Sequence, residues 1–401
     1  MACATGSIVR GDDFRMYITN VSLRTVALPQ RRVFRYRGGV IGAKRVIVQI
    51  DADNGLTGIG EATPIPTDWG HDAEAMHLAI LQFIAPSLMG MDPFDLEGIW
   101  ARVAGAVSID QATTSMLPER GGVDAALYDL MGKAASVPVS SLLGSSRGKR
   151  LPTAAVIGLD TPDRMAEHAL EAQRYGYFDF KVKVGVNPVI DLQRVATLRD
   201  ALGPAAHIRV DVNGGWSPNE AVKLIRAMEK YDLELVEQPV PGWDVQGLAF
   251  VRSKVDTPIM VDESLHSTQD ALVLVAQGAC DLFNIKHQRL GGITPARKVL
   301  HIAEAAGIRC MLGGELESGV GTAIGLHLMA SSALFTIPAD LVGPNHFADD
   351  ILTTPFIPDG GHLAVPDGPG LGVTLDEAKM QRYAVELRTV AMVEEELRTQ
   401  E

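Results

Sequence analysis

The chain has 401 residues, 46% of them hydrophobic, with 36 Lys and Arg against 49 Asp and Glu, a formal net charge of −13 at pH 7. That length and apolar content bury a large core, whereas the acidic balance excludes a general nucleic-acid binder, which needs clustered Lys and Arg. Cys3, Cys280 and Cys310 have neither CxxC nor zinc spacing, which argues against a disulfide framework or thiolate metal site and for a reducing cytoplasm.

No apolar signal region opens the sequence and no run of apolar residues reaches membrane-spanning length, so a soluble protein acting on small molecules is expected. Alternating runs at Tyr17 to Leu28 and Arg45 to Ile50, a turn at Asp53-Asn54-Gly55 and a third run at Leu56 to Glu61 predict an antiparallel meander. Helical periodicity follows at His71 to Leu88, Asp95 to Ala106 and Gly122 to Ala135, before Pro138 and the Gly-rich stretch Leu143 to Lys149. These elements predict an α+β domain over residues 1–150.

From there the texture changes to short Val- and Ile-rich runs alternating with amphipathic stretches. The predicted strands are Thr153 to Ile157, Phe178 to Val184, Ile208 to Val212, Leu233 to Glu237, Pro258 to Val261, Leu282 to Ile285, Arg309 to Leu312 and Ala339 to Val342. Helices are predicted between them, among them Pro188 to Leu202, Pro218 to Tyr231, Thr268 to Gly278 and Pro295 to Ala306. This rhythm predicts a parallel α/β barrel, and the absence of a GxGxxG turn disfavours the doubly wound alternative.

Five polar residues stand at successive strand ends: Lys183, Asp211, Glu237, Asp262 and Lys286, spaced by 28, 26, 25 and 24 residues. Each interval is about one βα unit, so consecutive strands deliver one group each to the same mouth of the barrel. Three converging carboxylates repel unless a cation lies among them, and all-oxygen ligation selects a hard ion, Mg²⁺ or Mn²⁺. Lys183 and Lys286 flank the trio in strand order. A lysine beside a dication has its pKa lowered and can serve as a base, while the ion stabilises the enediolate left when a carboxylate loses its α-proton.

Any one of the three acids alone reads more simply as a helix N-cap or ion-pair partner; the set at barrel spacing does not. Lys181 and Lys183 alone resemble an exposed edge pair, a reading that an interior strand reverses. Arg31, Arg32, Arg35 and Arg37 read as a solvated basic loop, with a substrate anion as the alternative. His266 and His287 read as surface or supporting histidines, and Met311 and Leu312 as barrel filling.

At these positions the sequence resembles the enolase superfamily, and within it the muconate-lactonizing subgroup. The resemblance rests on Lys181-Val182-Lys183-Val184-Gly185, Asp211-Val212-Asn213, Glu237-Gln238-Pro239, Val261-Asp262-Glu263-Ser264, Ile285-Lys286 with Gly291-Gly292, Leu316-Glu317-Ser318-Gly319-Val320-Gly321-Thr322 and Pro369-Gly370-Leu371-Gly372. It implies a (β/α)7β TIM-like barrel over 151–364 and an N-terminal capping domain completed by 365–401. It further implies Asp211, Glu237 and Asp262 as Mg²⁺ ligands, Lys183 and Lys286 as the acid/base pair, and Lys181 beside the substrate carboxylate. Asn213, Glu263 and Glu317 match substrate-facing or supporting positions, and a homo-oligomer, often an octamer, is implied by analogy. Two departures lie near the substrate: Glu315 replaces a usual apolar residue, and His287-Gln288-Arg289 follows Lys286 in place of small and apolar ones.

The expected function is a Mg²⁺-dependent isomerase working by enolisation of a carboxylate, either a muconate-type cycloisomerase or an amino-acid-derivative racemase or epimerase. A dehydratase, with Lys286 or Glu315 as acid, is the alternative within the superfamily. A non-catalytic metal- or carboxylate-binding protein and a Schiff-base aldolase are the alternatives from other classes. Cap loops Arg31 to Gly42 and Thr63 to Asp72 are the expected seat of specificity.

Overall fold

The computed structural model describes residues 15–65, 70, 72–106, 115–144 and 150–386. Cys3, parts of the expected loops at 63–72 and 143–149, and the end of the C-terminal return lie outside these.

The first unit holds strands β1 (Ile18–Ala27), β2 (Arg35–Tyr36), β3 (Gly39–Val40), β4 (Lys44–Ala52) and β5 (Thr57–Ala62). The expected meander is the antiparallel sheet β1-β4-β5, turned at Gly55, whose φ of +81° suits a residue without Cβ. The helical segments Ala73–Leu88, Leu96–Ala106 and Leu117–Ala134 pack on it, the first containing a π turn at Ile80–Ile84. Val46, Val48 and Ile50 of β4 meet Val123, Leu127 and Leu130 in one buried cluster. Helix Leu117–Ala134 lies directly on β5 because Gly58 and Gly60 leave room: a Cβ there would come within 2.1 Å of Ala126 O and 2.0 Å of Gly122 O.

After β6 (Arg150–Pro152) come eight parallel strands in one sheet: β7 (Ala155–Ile157), β8 (Asp179–Lys183), β9 (His207–Asp211), β10 (Leu233–Glu237), β11 (Ile259–Val261), β12 (Leu282–Ile285), β13 (Arg309–Leu312) and β14 (Phe335–Ile337). The sheet closes where Thr153 bridges Ala339, with Ala154 N donating to Ala339 O and Ala339 N to Pro152 O, each at 2.9 Å. The eighth strand thus lies earlier than the expected Ala339 to Val342. Pro338 has no N–H to continue the ladder, and beyond it the pairing thins to the Thr153–Ala339 bridge and one bond from Asp340 N to Leu312 O at 2.9 Å.

Barrel helices follow each of the first seven strands, from Pro162–Arg174 after β7 to Gly319–Ala330 after β13. β14 is followed only by a short turn, Gly343–His346, and then β15 (His362–Ala364), which pairs with β6. The architecture is therefore a (β/α)7β barrel under a capping unit. Leu235, Met260, Leu282, Met311 and Ile337, one from each of β10 to β14, fill the interior. The chain's end returns to the cap: Val139 N donates to Gly370 O and Ala27 N to Tyr383 O, both at 2.8 Å. Among the described residues no helix is long and apolar enough to cross a membrane.

Candidate active site

Parallel register sets the site's floor. Lys183 is the cross-strand partner of Asp211, and Asp211 of Glu237, so three functional groups share one level at the strand ends, with Asp262 just past β11 and Lys286 just past β12. Asp211, Glu237 and Asp262 are fully buried, and each offers an oxygen within 4.8 Å of the others. One oxygen of Glu237, Oε2, has no hydrogen-bond partner, while Oε1 accepts from Asn284 Nδ2 at 2.9 Å. A buried all-carboxylate set with an unmet oxygen has the donor chemistry of a hard divalent ion, so the residues fit such a group.

The lysines close the row at both ends. Lys183 Nζ lies 2.6 Å from Asp211 Oδ2 and 3.1 Å from Asn213 Oδ1, and Lys286 Nζ lies 2.9 Å from Asp262 Oδ2 and 3.3 Å from Glu315 Oε1. Burial and Arg289 oppose charge on Lys286, yet Asp262 and Glu315 outweigh them and hold its pKa above the ordinary value. Burial and the Asp211 charge push Glu237 well up, although Lys181 opposes them. Asp211 and Asp262 are instead held low despite burial, the first by Lys181 and Lys183, the second by Arg289 and Lys286.

Lys181, two residues before Lys183 and so on the same face of β8, contacts Glu237 at 2.7 Å and Asp211 and Asp340 at 2.9 Å. Lys181, Lys183, Lys286, Asn213 and Glu315 all line one cavity of about 40 Å³. Glu263 reaches it only through Asn213 Nδ2, at 2.9 Å, and burial with the Asp262 charge pushes its carboxyl up to about 7. Glu317 is buried behind the cavity wall, and burial raises it to about 7 as well. Asn213 and Gln238 adopt left-handed backbone, φ 46° and 38°, strain of a kind that gathers at functional sites. Gln238 Oε1 accepts from the backbone of Asp262 at 2.9 Å and of Ser264 at 3.2 Å, orienting the third acid.

Several groups were given no role in the sequence reading. Asp340, beyond β14, joins Lys181 and also Arg209, which is wholly buried at 2.5 Å from it. Arg289 pairs with Asp262 and stands 3.4 Å from Glu315. The rhythm of strand ends was the available signal for Asp340, and the departure after Lys286 was that for Arg289; Arg209 carries none. His287, read as a surface or supporting histidine, is not at the surface: it is buried and held neutral by burial, its pKa down at about 4. Of the basic run, Arg32 pairs with Glu171 at 2.9 Å, Arg31 donates to Phe347 O at 2.9 Å, and Arg37 to Asn213 O at 3.4 Å. Tyr36 of the same loop sets its ring 5.6 Å from Lys183 Nζ.

Residues 19–144 match the family model described as the mandelate racemase / muconate lactonizing enzyme N-terminal domain, and residues 164–379 match the enolase C-terminal domain-like model. The L-Ala-D/L-Glu epimerase of Clostridium acetobutylicum is 35% identical, over 89% of this chain and 99% of its own. The muconate cycloisomerase 1 of Rhodococcus opacus is 31% identical, over 82% and 88%. The crystal structure of the N-succinyl Arg/Lys racemase from Bacillus cereus superposes with a TM-score of 0.88 at 31% identity, covering 92% of this chain and 98% of that one. The chain therefore belongs to the mandelate racemase / muconate lactonizing enzyme family, in its muconate-lactonizing subgroup, and is an isomerase of the enolase superfamily.

Proposed function

We propose that the protein is a Mg²⁺-dependent isomerase that removes the proton α to a small-molecule carboxylate and returns it, as a racemase or epimerase does, with Lys183 and Lys286 as the two bases. The observation that carries this is the row of three buried acids closed by an amine at each end. Asp211, Glu237 and Asp262 would hold the ion, whose chemistry is counter-charge for the substrate carboxylate as it takes enediolate form. Lys181, tied to three carboxylates, stays charged and faces the carboxylate; Lys183 accepts the α-proton on one face and Lys286 delivers one on the other. Asn213 steadies Lys183, and Glu315 with Arg289 steadies Lys286. Relatives named epimerase and racemase support this assignment. Those named muconate cycloisomerase support a one-base form of the same chemistry on a muconate-like acid.

Proton NMR in deuterated water with Mg²⁺, over a panel of N-acyl amino acids, dipeptides and muconate, tests the reading. Loss of the α-hydrogen signal is expected for at least one acid. Chelation and Glu237→Gln should each abolish it, and exchange that survives both would remove the metal from the mechanism.

A further inference from the structure

The two bases of the proposed reaction are anchored differently. Lys183 closes β8 inside the sheet: it is the register partner of Asp211, and the next amide, Val184 N, donates to Asp211 O at 2.9 Å. Its backbone is thereby fixed by the barrel sheet itself. Lys286 instead follows β12, whose ladder to β13 ends at Ile285 and Leu312, and it opens the short turn His287–Leu290. A helical turn of four residues holds its shape poorly alone, so whatever grips this turn decides where the amine sits.

The capping unit grips it through one side chain. Gln288, two residues after Lys286 and fully buried, crosses from the barrel to the end of β5: its Nε2 donates to Glu61 O at 2.6 Å and its Oε1 accepts from Thr63 N at 3.4 Å. Nε2 also faces His287 Nε2 at 3.2 Å. Beside it, helix Leu117–Ala134 comes so close at Gly121 that an added Cβ would touch Gln288 Cα and His287 O at 3.4 Å. The segment that Gln288 holds runs on to Ile65, which lines the site cavity, whereas Gln288 itself does not. A buried amide costs stability unless its bonds are made. Here those bonds tie the base-bearing turn to the cap.

We propose that Gln288 is a positioning residue for Lys286, holding that base from the capping unit while the barrel sheet holds Lys183, so that the two faces of the substrate depend on different parts of the fold. Given the two-base reading above, on which this rests, loss of the Gln288 bonds slows proton transfer on one face and spares the other.

Gln288→Met keeps the length of the side chain and removes both bonds to β5. Proton NMR of the full chain in deuterated water, with Mg²⁺ and the separated enantiomers of N-acetylleucine and N-acetyllysine, reads the effect on each face. The saturated rate of α-hydrogen exchange should fall about 10–100-fold for the enantiomer that Lys286→Ala silences, the scale of a base displaced by roughly an ångström, and stay within about twofold for the other. Gln288→Asn, a milder change one methylene short of both partners, should show the same split to a smaller degree and serves should the Met variant not fold. Equal losses for the two enantiomers, no loss, or a change confined to KM would overturn the proposal, since a general loosening of fold or pocket moves both faces alike. The crystal structure of Gln288→Met reads placement without turnover: Lys286 Nζ should leave its 2.9 Å contact with Asp262 while Lys183 keeps its 2.6 Å contact with Asp211. A displaced amine in a protein whose parent exchanges none of these acids sinks proton abstraction and leaves the positioning standing. An amine that has not moved overturns the positioning whatever the acids do.

Discussion

Lys181 and Lys183 stand two residues apart on one strand, yet their surroundings assign them different work. Lys181 is shared among Asp211, Glu237 and Asp340; burial opposes its charge, but these carboxylates hold its pKa well above the ordinary value. Such an amine keeps its proton and supplies positive charge. Lys183 touches one carboxylate and an amide oxygen, and the proposed mechanism gives it the proton transfer. If the two bases serve opposite faces, Lys183→Ala removes α-hydrogen exchange for one enantiomer and Lys286→Ala for the other. Proton NMR in deuterated water with separated enantiomers reads this directly, and both variants exchanging both enantiomers at the parent rate would show that neither is the base. The five strand-end groups were legible in sequence because a βα repeat turns spacing into position. Arg209 was not: it sits mid-strand as the register partner of Lys181, so it points inward, and its pairing with Asp340, 131 residues on, joined by the Pro338 carbonyl and Glu234, explains a buried arginine. Asp340 was hidden for a related reason, since it fell inside the run read as the eighth strand.

Between elements, the cap supplies N-terminal acceptors to two barrel helices, standing in for a missing side-chain cap in one and adding to the Ser318 side chain in the other. Gly292 precedes helix Ile293–Ala306 and offers no side chain to cap it; a Cβ there would meet Asp124 at 2.5 Å. Asp124, from helix Leu117–Ala134, accepts instead from Thr294 N at 3.0 Å and Thr294 Oγ1 at 2.7 Å. Glu61 of β5 likewise accepts from the amides of Ser318 and Gly321, both at 2.9 Å, at the start of helix Gly319–Ala330. Arg45 stands 3.6 Å from Glu61 and donates to the carbonyl of Leu316, whose φ is +61°, so the loop bearing Glu315 and Glu317 is pinned from the cap. Sequence periodicity predicted the first of these helices, as Pro295 to Ala306, and named none at the second, and it revealed neither distant acceptor, because capping motifs are local and these bonds are not. Asp124→Ala should cost about 1–2 kcal/mol, the value of a lost N-cap. Glu61→Ala should cost more, about 3–5 kcal/mol, because it also strands the buried Arg45 charge. Urea denaturation of both variants checks the order, and equal losses would show that the Arg45–Glu61 pair adds nothing to a cap.

Across the whole molecule, one buried histidine joins the barrel, the cap and the returning chain. His327, in helix Gly319–Ala330 and fully buried, accepts from Ser140 N at Nδ1, 3.2 Å, and faces Leu371 O with Nε2 at 3.1 Å. Those partners require the neutral ring protonated at Nε2, and burial lowers its pKa to about 4 although the Leu371 carbonyl opposes the shift. The unfolded chain takes up the proton near the ordinary 6.5, so between 6.5 and 4 it binds more protons than the fold does. The contribution is therefore fully present above pH 6.5 and is lost as the pH falls towards 4, to a total of roughly 3 kcal/mol from this one group. His346, also near 4 through burial and the charges of Arg45 and Arg32, adds to the same slope. The measurement is the urea midpoint of the full chain at intervals from pH 7.5 to 4, for the parent and for His327→Gln, whose amide can keep the bond to Leu371 without titrating. The parent should lose stability more steeply across that window than the variant. Parallel curves would mean that His327 does not couple the three parts of the chain to pH, and that acid unfolding starts elsewhere.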